Sequence, residues 1–455
     1  MDVLSFLSGQ LVSRLYSLKE RSKLFSHLRD LERTQWLPLD QLQERQMNKL
    51  KRLLVHAYET VDYYHKIFTD AGFNPYDFNR LSQLRHLPIL TKMDITENCN
   101  QMISKKYRIE DLVKFCTGGS TGTQLHFYIN KESVDEKNAC AWRHNRWAGW
   151  DLGIPIAALW GNPKETTTVK ARLRRKILNR TIFLDTMNMT AETMHAFADT
   201  INRLRDYVVY GHSHSIYLFA DFLIKHGLPI RSPLGIVSTS MMLMINERQI
   251  IEEVFKTKVT DRYGCEEVSL IGCECEEHNG MHLNLDHLIV EFIKADGRPA
   301  GAGEEGRIVV TDLTNYGMPF IRYEVGDVGI PTDRMCACGR GLPLMEKVIG
   351  RTADFLVRKD GSLVAGVSLI ERLLTKIPGI YQMQIVQNER ESLILRIVRG
   401  KNFSHETTIC TLKEEFAKAF PEMNMQLEIV ERIQQEKSGK YRFAICNINY
   451  GYQRE

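Results

Sequence analysis

The chain has 455 residues, 43% hydrophobic, 25% charged and 9% aromatic, a composition that excludes a peptide hormone, a disulfide mini-scaffold and a disordered regulator. Lysine and arginine number 60 against 56 aspartates and glutamates, a formal net charge of +4 with the signs interspersed, so the basic stripe of a nucleic-acid binder is missing. No apolar run approaches the roughly 18 residues of a spanning helix; a cytoplasmic protein without stable membrane insertion is expected.

In chain order, the first 23 residues are interrupted by Ser, Gln and Arg rather than carrying a signal-type apolar block. They read as a short helix, packed on the domain, frayed, or touching a membrane surface. From Leu37 onward LDQLQERQMNKLKRLLVHAYETVDYYHKIFTDAG places apolar residues at three- and four-residue intervals until Gly72 and Pro75 stop it, which predicts a helical opening over about 1–98. After Pro88, β-rich runs (IAALW, IVSTS, RIVVTDL) alternate with helical ones (HSIYLFADFLIKHG, NERQIIEEVFKTK). That alternation predicts an α/β domain with parallel sheets. Beyond about Gly350 the strand signals shorten (LILRIVRG, MQLEIVERI) around a helical HETTICTLKEEFAKAF, and a small α+β domain over 351–455 is expected behind a large N-terminal domain over 1–350.

Residues 114–130 hold Thr117, Gly118, Gly119, Ser120, Thr121, Gly122 and Thr123 between β-rich flanks. Small residues let backbone N–H groups approach an anion, and four hydroxyls add donors, as a phosphate-cradling loop requires; the bland alternative is a polar hairpin turn. The loop lacks the GK[ST] ending of a P-loop. A second glycine pattern, Gly301 to Gly306, satisfies GxGxxG but precedes a strand instead of opening a helix, so it reads as a turn. Two further stretches, DRYGCEE at 261–267 and PFIRYEVGD at 319–327, each set an aromatic before a glycine and a carboxylate. Taken singly, each reads more readily as a surface loop than as a site.

In this order the motifs resemble the adenylate-forming superfamily, most closely its branch of phenylacetate–CoA ligases and CapK-like proteins: LPILTK at 87–92, TGGSTGT, YGCEE, GRIVVTDL…PFIRYEVGD, GRTAD at 350–354 and SGK at 438–440. The resemblance implies a multi-subdomain adenylating domain with a mobile C-terminal lid. It implies that Ser120 to Thr123 hold the β- and γ-phosphates of ATP, that Tyr263 beside Gly264 stacks on adenine, and that Glu267 binds Mg²⁺. Asp327, helped by Arg351, would take the ribose hydroxyls; Asp354 would be the hinge, and Lys440 would contact the carboxylate and the α-phosphate. It implies an AMP-forming ligase that activates a small-molecule carboxylic acid as an acyl-adenylate and passes it to coenzyme A. An amine or hydroxyl acceptor, as in polysaccharide or secondary-metabolite biosynthesis, is the alternative ligase reading, and a nucleotide-binding scaffold the alternative of another class.

Ten cysteines in a long reduced chain point to metal ligation where they cluster. Cys275, His282 and, 54 residues further on, Cys336 with Cys338 supply three thiolates and an imidazole, a closed structural zinc set that the resemblance also implies. Cys273 and His278 are alternative ligands, and plain burial of reduced thiols is the other reading. Two departures from the superfamily pattern stand out: Ser238-Thr239-Ser240-Met241-Met242 replaces a Thr-Ser-Glu-type segment, and Gln124-Leu125-His126 follows the glycine-rich loop without Pro-Lys. The resemblance places the acyl pocket near Tyr210-Gly211-His212-Ser213-His214-Ser215, where a helix N-cap with solvated histidines is the bland alternative. Trp142, Trp147, Trp150 and Trp160 form either an aromatic wall of that pocket or core.

Overall fold

The computed structural model describes residues 22–116, 125–161, 180–186, 188–351, 355–360, 363–377, 379–400, 403–421, 423–434 and 441–448. The chain opens with helices α1 (Leu24–Thr34), α2 (Leu39–Thr60) and α3 (Asp62–Asp70), then α4 (Lys92–Asn98). Pro38 stands before α2 where its missing N–H is harmless. The predicted apolar stripe of α2 and α3, with Leu50, Leu53, Leu54, Ala57 and Phe68, is fully buried. A hairpin of β1 (Leu112–Cys116) and β2 (His126–Asn130) leads into α5 (Lys131–Trp147).

The main sheet has eleven strands. One half comprises β3 (Ile156–Trp160), β4 (Thr181–Asp185), β5 (Val208–His212), β6 (Gly235–Thr239) and β7 (Val259–Cys265), all parallel. Helices α6 (Ala191–Asn202), α7 (Ser213–Lys225) and α8 (Ile245–Phe255) alternate with these strands and cover one face. The other half comprises β8 (Ser269–Glu274), β9 (Met281–Leu283), β10 (Leu288–Ile293), β11 (Gly306–Asp312), β12 (Tyr323–Pro331) and β13 (Leu344–Arg351), all antiparallel. The expectation of parallel sheets therefore holds for half of the sheet only. The connections after β7 are too short for a helical crossover, and short connections join strands antiparallel. Gly301 to Gly306 forms the turn before β11, with Gly303 at φ +78°.

The C-terminal region adds the pair β14 (Phe355–Val357) and β15 (Leu363–Ala365), helix α9 (Gly366–Lys376), β16 (Ile380–Glu389), β17 (Ser392–Arg399), helix α10 (His405–Ala419), β18 (Asn424–Ile429) and β19 (Ala444–Cys446). Its four-stranded sheet runs β18-β17-β16-β19, and its own apolar core contains Leu356, Ile370, Met383, Leu395, Leu412 and Phe416. That core also takes in Met244, with Met241 and Met242 packed against it, from the loop between β6 and α8. Among the described residues no helix is long and apolar enough to cross a membrane.

Candidate active site

Parallel and antiparallel halves meet at β7, and the carboxyl ends of parallel strands at such a change leave a crevice in open α/β sheets. Trp160 ends β3, stacks on Tyr210 at 5.5 Å and packs tilted against His212 at 4.3 Å. The buried Arg262 lies 5.1 Å over Tyr210 and donates from Nη1 to Asn145 Oδ1 at 2.8 Å. Pairing of His212 with Thr239 and of Thr239 with Arg262 puts these side chains on one face. Trp160 thus lines the crevice, whereas Trp142 and Trp150 pack edge to face in the core.

Tyr263 and Asp327 come from distant motifs, yet the Tyr263 hydroxyl donates to Asp327 Oδ2 at 2.7 Å. The register shifts between Tyr263 and Gly264, and a Cβ on Gly264 would lie 2.5 Å from the Ser269 carbonyl oxygen. Glycine is required there for β7 and β8 to close. Asp327 faces Arg351 across β12 and β13. Thr117 to Thr123, Asp354 and Lys440 lie outside the described residues.

Glu267 is buried, its Oε1 accepting from the Tyr323 hydroxyl at 2.8 Å with Lys92 Nζ 3.4 Å away. Burial, with the Glu267 charge beside it, pushes the Tyr323 hydroxyl well above its ordinary pKa, so it keeps its proton and remains a donor. Lys92 is the first residue of α4, whose N-terminus is fixed by a capping box between Thr91 and Asp94. Arg322 of the same motif is structural: it donates from Nη1 to the Leu87 carbonyl at 2.6 Å and pairs with Glu291 at 3.0 Å. Leu90 N–H donates to Arg322 O and Glu324 N–H to Leu90 O. This seam sets Lys92 opposite Glu267. Neither Lys92 nor Tyr323 stood out by residue type; their signal was membership of the LPILTK and PFIRYEVGD runs.

The four predicted metal ligands converge. One donor atom each from Cys275, His282, Cys336 and Cys338 lies within 4.8 Å of the others, with Cys275 Sγ 3.5 Å from Cys336 Sγ and Cys338 Sγ 3.3 Å from His282 Nε2. His282 Nδ1 donates to the Leu342 carbonyl at 2.9 Å, which turns Nε2 toward the thiols. Burial lowers the His282 pKa and so favours the neutral ring a metal needs. The alternatives fall away: Cys273 is buried outside the group and His278 turns to Glu274. Arg340, two residues past Cys338, lies between Trp36 and Trp147 at 4.8 and 4.7 Å and pairs with Glu276 at 2.8 Å.

The segment 210–215 departs from its bland reading. His212, Ser213, His214 and Ser215 are buried, and the α7 N-terminus has no side-chain cap. Ser213 Oγ bonds Ser238 Oγ at 2.6 Å and donates to the Met241 carbonyl at 2.8 Å. His214 turns away toward Glu247 and the C-terminal sheet.

Known proteins resemble the chain over most of its length. Residues 356–447 match the family described as the CapK C-terminal domain. Protein CapK of Staphylococcus aureus is 24% identical over 376 residues, 81% of each chain, and a phenylacetate-coenzyme A ligase of Thermus thermophilus is 25% identical over 413 residues, 87% of this chain and 90% of that protein. The solved structure of 2-hydroxyisobutyryl-CoA ligase in the postadenylation state superposes with a TM-score of 0.73 at 18% identity over 90% of both chains; in its thioesterification state the TM-score is 0.59 at the same coverage. The fold is the one seen in acyl-CoA ligases that form an acyl-adenylate. Its residues 356–447 match the CapK C-terminal domain, and over most of its length the chain is similar to CapK and to phenylacetate-coenzyme A ligases.

Proposed function

We propose that the protein is an AMP-forming acid ligase: it condenses a carboxylic acid with ATP to an acyl-adenylate, releases pyrophosphate, and transfers the acyl group to coenzyme A. The observation that carries this reading is the convergence of Tyr263, Asp327 and Glu267 at the β7 crevice, from motifs that span 64 residues. A carboxylate oxygen forms a bond to the α-phosphorus as the bond to the bridging oxygen breaks and pyrophosphate departs. Tyr263 offers a ring to the adenine, and its hydroxyl, tied to Asp327, holds that carboxylate toward the ribose. Lys92 places an ammonium beside Glu267, where anionic groups meet. Glu267 would hold Mg²⁺ shared with the nucleotide phosphates, and the ion would neutralise their charge. Lys440 would bring a second cation from the C-terminal domain, with Asp354 as the hinge between the domains at 1–350 and 351–455.

Cys275, His282, Cys336 and Cys338 would hold a structural Zn²⁺ with no coordination position left for substrate. The crevice wall of Trp160, Tyr210 and His212 beside Arg262 suits an acid carrying polar or hydroxyl groups. Pyrophosphate release across a panel of carboxylic acids tests the reading. One acid should stimulate release, and Lys440→Ala should abolish it; full release in that variant would remove Lys440 from the chemistry. Trapping the adenylate in parallel with coenzyme A, an amino sugar and an amino acid identifies the acceptor.

A further inference from the structure

His214 lies on the first turn of α7, directly behind the β5 end of the crevice, and is almost completely buried. Its Nδ1 is hydrogen-bonded to the buried Glu247 of α8, and its Nε2 meets the Gln382 amide nitrogen of β16 at 2.6 Å. A carboxylate on one side and an amide donor on the other assign the neutral tautomer with the proton on Nδ1. The imidazole thus joins the N-terminal α/β layer to the C-terminal sheet through a hydrogen-bonded chain, Glu247 to His214 to Gln382.

Gln382 reaches further. It shares a hydrogen bond with Tyr441, whose ring packs edge-on against His214 at 4.5 Å, with Phe443 at 5.2 Å. The segment after Tyr441 is bound to the same strand: Gln384 donates to the Arg442 carbonyl at 2.6 Å and Ile385 N–H to the Phe443 carbonyl at 2.8 Å. Tyr441 is the residue after Lys440. Around this polar chain, Tyr381 donates to Asp221 of α7 at 3.0 Å, and Met244 is buried in the C-terminal core. Ser213, adjacent to His214, ties the same methionine loop to β6.

We propose that His214 is a positioning residue for the adenylation half-reaction: through Gln382 and Tyr441 it registers the strand that follows Lys440 against the β5 and β6 ends of the crevice. This rests on the ligase reading for its chemical consequence but not for its geometry. The arrangement in which the contact forms is the one closer to the postadenylation state of the solved ligase, 0.73 against 0.59 in TM-score at equal coverage. The contact holds the domains together while the adenylate forms, and its release accompanies the thiol step.

The test compares Gln382→Leu, His214→Ala and His214→Gln in the full-length protein. Gln382→Leu removes the amide and leaves a buried nitrogen of His214 unpaired. It should lower the rate of acid-dependent ATP–pyrophosphate exchange about tenfold at saturating ATP, with KM for ATP within about twofold of wild type, since nucleotide contacts are untouched. Transfer of a supplied acyl-adenylate to coenzyme A should stay near the wild-type rate. His214→Gln, whose amide reaches the Nε2 position, should recover part of what His214→Ala loses. Equal losses in both half-reactions, or none, would overturn the proposal. Amide hydrogen exchange supplies the activity-independent arm: residues 240–246 and 380–386 should exchange faster in Gln382→Leu than in wild type, and unchanged exchange overturns the contact. If wild type shows no acid-dependent exchange of pyrophosphate, the ligase reading fails and hydrogen exchange alone decides the contact. If Gln382→Leu does not fold, His214→Gln against His214→Ala carries the same comparison.

Discussion

Glu267 shows how one carboxylate is aimed while almost wholly buried: a hydroxyl donates to it and an ammonium stands beside it. Glu267→Gln keeps the Tyr323 hydrogen bond but removes the charge, so adenylation kcat should fall about 100-fold, with acid KM little changed, by pyrophosphate release. Another buried group governs acid stability. Burial, the largest influence, brings the His287 pKa down to about 4 from an ordinary 6.5. Between those two values the unfolded chain binds a proton that the folded chain refuses, so stability is lost as pH falls through that window. The loss amounts to about 3 kcal/mol at 1.36 kcal/mol per pKa unit. His287→Gln should therefore narrow the difference in Tm between pH 7 and pH 5, measured by calorimetry.

At the scale of elements, the β7–β8 hairpin is the most exacting part of the site. Gly264→Ala would drive a methyl group into the Ser269 carbonyl, costing about 1–3 kcal/mol and turning Tyr263 off Asp327. Chemical denaturation and ATP binding should both register it, whereas Gly297→Ala, in open space but at φ +81°, should lower stability without touching ATP affinity. The reading of the sequence reached most elements because apolar spacing is local: the α2–α3 stripe and the strands IAALW, IVSTS and RIVVTDL all emerge where the pattern places them. Antiparallel pairing across β8 to β13 did not show, since Val- and Ile-rich runs look alike in either direction. The convergence of Cys275, His282, Cys336 and Cys338 was legible because paired cysteines with a histidine upstream carry a moderate ligand signal, while Lys92 was not, because an exposed lysine at a helix start resembles any other. His214 escaped for a similar reason: its partners Glu247 and Gln382 are distant in sequence and carry no motif.

For the molecule as a whole, the division into two units is softened by shared packing. Met244 belongs by sequence to the N-terminal α/β layer and by contact to the C-terminal core. Met244→Ala should destabilise the docked arrangement by about 2–5 kcal/mol, and calorimetry should show a separate, earlier transition for the C-terminal unit while the main transition stays in place. The methionines follow Ser238-Thr239-Ser240, where the chain departs from the Thr-Ser-Glu-type pattern, and Ser240 takes φ +67° as the loop turns out of the sheet. That departure from the superfamily pattern is also the place where the methionine loop enters the C-terminal core.

The setting of Arg340 has an optical consequence. Its guanidinium lies between the rings of Trp36 and Trp147, and its backbone N–H points to Cys338 Sγ at 3.5 Å. Trp36 sits between α1 and α2, so the thiol cluster, the arginine and the opening helices form one continuous stack. Two indoles therefore stand against the cysteine–histidine cluster, and a metal bound there would be read by their fluorescence. Stripping metal with a chelator, or replacing Cys338 with Ser, should shift tryptophan emission in proportion to the zinc lost by elemental analysis, while Trp36→Phe should blunt the shift.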